Sequence, residues 1–214
     1  MLDYLGPVSE GIGNTLLITF GAFVIGAVLG LPLALARSSR WRPVRVLAIS
    51  CIEIFRGVPP IAWLFIGFYG LAQFGLRIDP LPAAIGGLGI ISSAYMAEIY
   101  RAGLRAVPHG QWEAGRAVGL TQHGMYRYVI APQALATVVP PSATYAIGLL
   151  KDSAIASVIG AQEVTALALS EQQRSFEGLS VFLAAAVVYL ALSLPLGGIA
   201  RWIDGALSRR LVEA

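Results

Sequence analysis

Residues 12–36 run for twenty-five positions without a charged side chain and are followed by Arg37, Arg40, Arg42 and Arg45. About 20 apolar residues in a helix cross the hydrocarbon core of a bilayer. No water is available there to satisfy the backbone, so only helices and closed barrels can span it. The rest of the chain follows suit. Of 214 residues, 57% are hydrophobic and 13% charged, against roughly 45–50% and about 25% in soluble domains. Mean hydropathy is +0.72. So few charges cannot cover a soluble surface, which excludes a disordered chain and almost any soluble enzyme.

The pattern predicts a single all-α integral membrane domain over residues 1–214, with five transmembrane helices at about 12–36, 44–74, 83–104, 128–150 and 179–203. The second is interrupted by Gly57, Pro59 and Pro60, and the fourth contains Pro132, Pro140 and Pro141. Residues 153–169 are too short and too broken by Gln162 and Glu163 to span, so they are expected to form a short helix or a re-entrant piece. Cations gather on the cytoplasmic side of membrane proteins. With the N-terminus outside, the cytoplasm receives Arg37, Arg40, Arg42, Arg45, Arg101, Arg105, Arg116, Arg127, Arg201, Arg209 and Arg210, and the outside only Arg77, Lys151 and Arg174. Eleven against three places the N-terminus out and the C-terminus in.

Met1-Leu2-Asp3-Tyr4 and Glu10 give no basic leader before the first run, so the first helix is expected to be kept rather than cleaved. The single cysteine, Cys51, excludes a disulfide scaffold. The basic residues form no patch with interleaved aromatics, which argues against nucleic acid. With five spans and no internal repeat, a central pathway requires a second copy or a similar chain. Gly26 and Gly30 form a G-x-x-x-G, a candidate helix-packing face.

Chemistry concentrates in three places. The cytoplasmic loop 107–127 opens on Pro108, able to start a short helix, and carries the small residues Ala114, Gly115, Ala117 and Gly119. These would let another protein approach, with Gly119 as a left-handed cap and Trp112, Val118 and Leu120 as exposed anchors. Packing of this loop on its own helix ends is the alternative. In the second span, Glu53 and Arg56 lie roughly 13–18 Å along the helix from Val44, near the middle of an approximately 30 Å core. Three residues apart, they can pair with each other or meet solute. Gly57-Val58-Pro59-Pro60 should break the helix there, as transport sites do and as a simple kink would. Tyr69 and Gln73 could line the outer part of a pathway. In 151–173, Lys151, Asp152, Ser153, Ser157, Gln162 and Glu163 suggest a wet face, Glu163 being the best candidate for touching solute and Lys151-Asp152 the membrane surface. Glu98 and Arg101, three residues apart, are expected to form a local pair, and His109 and His123 have no carboxylate partners at catalytic spacing. No Ser-His-Asp or metal-ligand arrangement is present.

Several segments together resemble one family. Glu113-Ala114-Gly115, Gly119 and Ile130-Ala131-Pro132 resemble the EAA motif of permease subunits of ATP-binding-cassette (ABC) importers. Glu53-Ile54-Phe55-Arg56-Gly57-Val58-Pro59, Ala94-Tyr95-Met96-Ala97-Glu98-Ile99-Tyr100-Arg101, Pro108-His109-Gly110-Gln111-Trp112-Glu113, Pro132-Gln133-Ala134 and Leu149-Leu150-Lys151-Asp152-Ser153 are similar to the polar amino-acid (histidine/glutamine/arginine-type) uptake permeases. The resemblance covers about residues 11–205. Gly115 replaces a second alanine, Ala131 a leucine and Thr144 a common asparagine, while Pro60-Ile61-Ala62-Trp63 replaces a more polar run.

The resemblance implies a type I ABC importer permease fold in a bacterial inner membrane. It implies a coupling helix carrying Trp112, Glu113, Ala114, Gly115, Arg116, Gly119 and Leu120, seated in a separate ATPase subunit. It also implies a second permease, an extracytoplasmic solute-binding protein, and ATP with Mg held by the ATPase chains rather than here. The sequence supports the last point independently. A P-loop needs Gly-Lys-Ser/Thr, and the only lysine, Lys151, follows Leu150. The candidate substrate pathway comprises Glu53, Arg56, Gly57, Pro59, Tyr69, Ser157, Gln162 and Glu163. Read from the residues alone, a gradient-driven secondary transporter or channel for small polar solutes fits the same spans, and it would tolerate disruption of the 113–119 loop. A membrane-embedded enzyme fits less well, since no catalytic groups cluster at one depth.

Overall fold

The computed structural model describes residues 1–212, with side chains through residue 205; the side chains of Arg209 and Arg210, counted in the orientation, lie outside the described residues. Three helices are long and apolar enough to cross a membrane alone: α2 (Ile12–Arg37), α5 (Pro80–Ala106) and α10 (Gly178–Val212). Two bent pairs bring the number to five. The first pair is α3 (Arg42–Gly57) with α4 (Pro60–Gln73). The second joins residues 122–159, which contain α7 (Gln122–Met125), a π turn (Tyr126–Ile130), α8 (Ala131–Asp152) and a 3-10 turn (Ser153–Ile159), to α9 (Val164–Ser175). The remaining elements are α1 (Leu2–Ser9) and α6 (His109–Ala117).

The central contact is α2 on α5, which run parallel. The buried face of α2 is built from Thr15, Ile18, Thr19, Ala22, Gly26, Gly30 and Ala34, whereas Leu17, Phe20, Val28, Leu31 and Leu35 point outward and are exposed. Small residues inside and large ones outside reverse the soluble pattern. Lipid is as apolar as leucine, so close backbone approach rather than burial of bulk holds such helices together. Gly26 and Gly30 meet Ser92 and Met96 of α5, and Ile25 of α2 fills the notch at Gly89. The G-x-x-x-G is therefore a packing face.

Three outcomes sharpen or add to the sequence expectation. The second span breaks at Gly57-Val58-Pro59-Pro60 as expected, into two helices inclined at 102°. Pro59 and Pro60 supply no backbone N–H, and the residues before them, Val58 and Pro59, are extended. Residues 153–169, expected as a short helix or a re-entrant piece, are divided: a 3-10 turn ends at Gly160, and α9 begins at Val164, bent by 51° from the preceding span, and continues to Ser175. Finally, α1 precedes the first span, with Val8 buried against Val164, Ala168, Val181, Ala185 and Val188. At eight residues with Pro7 inside, α1 carries no membrane-length signal.

Candidate functional site

At the inner end of the bundle four charged side chains meet. Nη1 of Arg37, the last residue of α2, lies 2.6 Å from Glu98 Oε1 and 3.6 Å from Glu53 Oε1. Glu98 also pairs with Arg101 one turn along α5, as the three-residue spacing suggested. Glu53 and Arg56 do not pair with each other. Glu53 turns to Arg37 while keeping 60% of its side chain exposed, and the Arg56 guanidinium lies 5.4 Å from the centre of the Tyr95 ring. The mid-membrane depth expected for Glu53 assumed a straight span. The structure bends the span by 102° after Gly57 and places Glu53 beside Arg37 at the end of α2.

Above this group stands an aromatic wall. Tyr95 stacks on Tyr145 at 5.3 Å, and the Tyr145 hydroxyl donates to Ser92 Oγ at 2.9 Å. Phe55 packs on Trp63 across the helix break. Gly57 and Pro59 are exposed at the break, and a Cβ on Gly57 would meet nothing. Tyr69 is exposed further along α4 against Phe65 and Phe68. Ser157 is half-buried and donates to the Ala154 carbonyl. Gln162 is exposed, and its carbonyl accepts from Asn14 of α2 at 2.6 Å. Thr144 is exposed, with its hydroxyl bonded to the Pro140 carbonyl.

Glu163 departs from expectation. Its side chain has 0% exposure and caps α9: Oε1 accepts from the Ala166 N–H at 2.7 Å, and Oε2 accepts from the Thr165 N–H at 2.9 Å and the Tyr189 hydroxyl at 2.6 Å. Its lone pairs are committed to the chain, and it faces no pathway in this conformation.

On the cytoplasmic side α6 is capped as Gly119 suggested. Gly119 has φ +76°, and the N–H groups of Gly119 and Leu120 return to the carbonyls of Arg116 and Gly115. Val118 is 76% exposed, but Trp112 and Leu120, expected as exposed anchors, are half-buried. Trp112 packs edge-on to Tyr126 at 5.3 Å and beside Met125 and Ile130. Gly115 is buried because Met125 lies over it, its sulfur 2.6 Å from where a Cβ would sit; its small size serves this chain's own packing. The outward face is Glu113, Ala114, Ala117 and Val118. Contrary to the spacing argument, His109 does have a carboxylate partner: Nδ1 lies 3.1 Å from Glu113 Oε1, with both groups exposed. Replacing Gly119 with alanine puts a Cβ into a left-handed conformation. It is expected to cost about 1 kcal/mol, seen as a lower unfolding midpoint of the solubilised protein.

The family described as "binding-protein-dependent transport system inner membrane component" matches residues 10–209. The chain belongs to this family of permeases. It is 35% identical to the L-cystine transport system permease protein TcyB of Bacillus subtilis (strain 168), over 96% of this chain and 88% of that one. It is also 35% identical to the arginine transport system permease protein ArtQ of the same organism, over 95% and 92%. The solved structure of an amino acid ABC transporter with histidines superimposes with a TM-score of 0.90 at 37% identity, covering 96% of each chain. The permease is thus an inner-membrane, multi-pass, non-catalytic subunit, and the ATPase of such systems is a separate chain.

Two residues of the permease's inner group escaped the sequence reading. In the sequence Arg37 reads only as an orienting cation, and Tyr95 only as part of a motif. A cation closing a span, with Glu98 carried by another span, is the signal that could have joined Arg37 to Glu98; nothing in the spacing links Arg56 to Tyr95.

Proposed function

We propose that this permease carries polar amino acids or close analogues into the cytoplasm, passing them along a pathway that includes Glu53, Arg56, Gly57, Pro59 and Tyr69, with Ser157 and Gln162 further out. The supporting observation is the state of Arg56. Among the described residues its guanidinium has an aromatic face but no carboxylate, and Glu53, one turn earlier on α3, is largely exposed. A zwitterion offers a carboxylate and an ammonium a few ångströms apart. Arg56 suits the first, by paired hydrogen bonds, and Glu53 the second. Because both contacts address the backbone part of an amino acid, they tolerate many side chains. Cystine and arginine, named for two relatives, are solutes of this class.

The permease works with two ATPase subunits that hold ATP and Mg, a second permease (another copy or a homologous chain) and an extracytoplasmic solute-binding protein. The outward face of α6, Glu113, Ala114, Ala117 and Val118, is the surface seated in the ATPase groove. Gly115, Trp112, Leu120 and Gly119 shape the helix behind it, and Arg116 flanks it. Closure of the ATPase pair moves α6, and through the Met125–Trp112 packing the movement reaches α8. The chain lines the path and transmits motion, with no covalent step.

The test is ATP hydrolysis by the reconstituted complex with its binding protein, screened over amino acids and analogues. Stimulation by at least one polar amino acid is expected, and Arg56→Gln should lower it about tenfold, the loss of a charge-assisted pair, with basal hydrolysis retained. A panel without a single stimulating amino acid would overturn the substrate class. An Arg56→Gln variant with full stimulation would remove Arg56 from the pathway.

A further inference from the structure

Far apart in sequence, Arg40 in the turn between α2 and α3, Arg116 on α6 and Gln122 on α7 line one cavity of about 280 Å³ floored by Trp112, Leu120 and Met125. Among the described residues neither guanidinium has an ion pair or hydrogen bond, and the Gln122 side chain has none. Two planar forks of donors and an amide around one space suit a tetrahedral oxyanion, which arginine binds through paired hydrogen bonds.

The position indicates the source of that anion. Arg40 follows Arg37, the residue that closes the first span. Its neighbour Trp41 is 70% exposed, as an aromatic ring at the headgroup level is. The cytoplasmic leaflet supplies anionic lipid to basic pockets of this kind. The tryptophan, leucine and methionine floor offers an apolar surface to the glycerol carbons behind a headgroup. Meanwhile the surface of α6 suited to a protein partner is the other one. At 100° per residue, Trp112, Gly115 and Arg116 fall within one sector of about 100° and Ala114 and Ala117 on the opposite side, with Glu113 at the edge between them, about 60° from Arg116.

We propose that Arg40, Arg116 and Gln122 hold the phosphodiester of an anionic phospholipid from the cytoplasmic leaflet, tying the α2–α3 turn to the coupling helix. A lipid seated there joins the first span directly to the element that the ATPase moves. The site is independent of which solute is carried.

The permease–ATPase complex in mild detergent is titrated with phosphatidylglycerol or phosphatidylcholine, and retained lipid is counted by native mass spectrometry. Saturable retention of phosphatidylglycerol over phosphatidylcholine is expected. R40Q/R116Q should weaken it about tenfold or more, at roughly 1 kcal/mol per arginine. R42Q/R45Q, which removes equal charge from the same surface outside the cavity, should change it less than about twofold. If R40Q/R116Q does not assemble, R40K/R116K keeps the charge but loses the forks, and must still weaken retention. Equal losses in both glutamine pairs would mean diffuse surface attraction and would overturn the site. So would displacement of the lipid by millimolar inorganic phosphate, which would mark a free-anion site. Unchanged lipid retention with lost ATPase copurification in R40Q/R116Q would give the cavity to an acidic side chain of the ATPase, and would likewise overturn the lipid assignment.

Discussion

Gly26→Leu and Gly30→Leu should each abolish assembly of the permease, the largest effect expected of any single substitution in the spans. At Gly26 an added Cβ would sit 2.4 Å from Ser92 Cβ and 3.0 Å from the Ser92 backbone, and at Gly30 it would sit 2.7 Å from Met96 Cβ and 3.0 Å from the Ala97 nitrogen. These neighbours are backbone and first side-chain atoms of α5, which cannot rotate away, so the two helices must separate along their length. Overpacking of a tight core costs about 3 kcal/mol or more when nothing can yield. A leucine adds three further carbons to the clash, and in lipid no hydrophobic gain offsets it. The measurement is the yield of monodisperse protein and its unfolding midpoint. Gly26→Ala should be damaging but milder, while Leu17→Ala and Phe20→Ala, on the exposed face of α2, should leave both readings near wild type. A fully assembled Gly30→Leu protein would mean that α2 and α5 do not pack at this register.

The reason these two glycines were readable from the sequence also explains what was not. Lipid imposes its length and composition on every span, so α2, α5 and α10, the cytoplasmic arginines and the break at Gly57-Val58-Pro59-Pro60 are written in one dimension. Gly119 is likewise local, since a helix stop with φ above zero selects glycine. The identity of charge partners is not local. Glu53 and Arg56 have ideal spacing for an ion pair on one helix, yet Glu53 meets Arg37 of α2 and Arg56 meets Tyr95 of α5, partners that only the packing of three helices supplies. Trp112 and Leu120 read as anchors for a partner because they are large and sit in a loop, but the turn at Gly119 folds them onto Met125. Gly115 looks like a gap left for another protein, and this chain's own methionine fills it. Short α1 falls below the length at which membrane thickness constrains a sequence at all.

These corrections move the functional weight inward and toward the cytoplasm. Glu53, Arg37, Glu98 and Arg101 stand where three helices, α2, α3 and α5, come together toward the inner ends of α2 and α5. A charge is far less costly there than at the bilayer centre. Within this group Arg37 holds Glu53 at 3.6 Å, a loose contact beside the 2.6 Å pair with Glu98, so on the proposed pathway Glu53 is the carboxylate that a zwitterion's ammonium would reach.

Glu163 is the counter-case, a carboxylate held too firmly to exchange, and substituting it should destabilise the fold rather than alter selectivity. In Glu163→Ala the N–H groups of Thr165 and Ala166 and the Tyr189 hydroxyl lose their acceptor at a site with no exposed surface. Hydrogen bonds to a charged group are worth about 1.5–3 kcal/mol each, and buried donors left unmade add to the loss. A destabilisation of about 3 kcal/mol is expected, and Glu163→Gln should cost less. Its carbonyl can keep Thr165 and Tyr189, while its amide then points a donor at the Ala166 N–H. The damage should spread, because the same turn is clamped to the start of α2. The Val164 N–H donates to Thr15 Oγ1 at 3.2 Å, Asn14 reaches the Gln162 carbonyl, and Gly11 lies so close that a Cβ there would sit 2.4 Å from the Val164 nitrogen. Unfolding midpoints of the solubilised protein give the stability, and initial transport rates in vesicles give the function. Glu163 variants should lower uptake of every transported amino acid by the same factor, and Tyr189→Phe should add less to Glu163→Ala than it costs alone, since the two share one hydrogen bond. A Glu163→Gln protein of wild-type stability whose preference among amino acids has changed would mean that the carboxylate leaves its cap during transport and meets the solute.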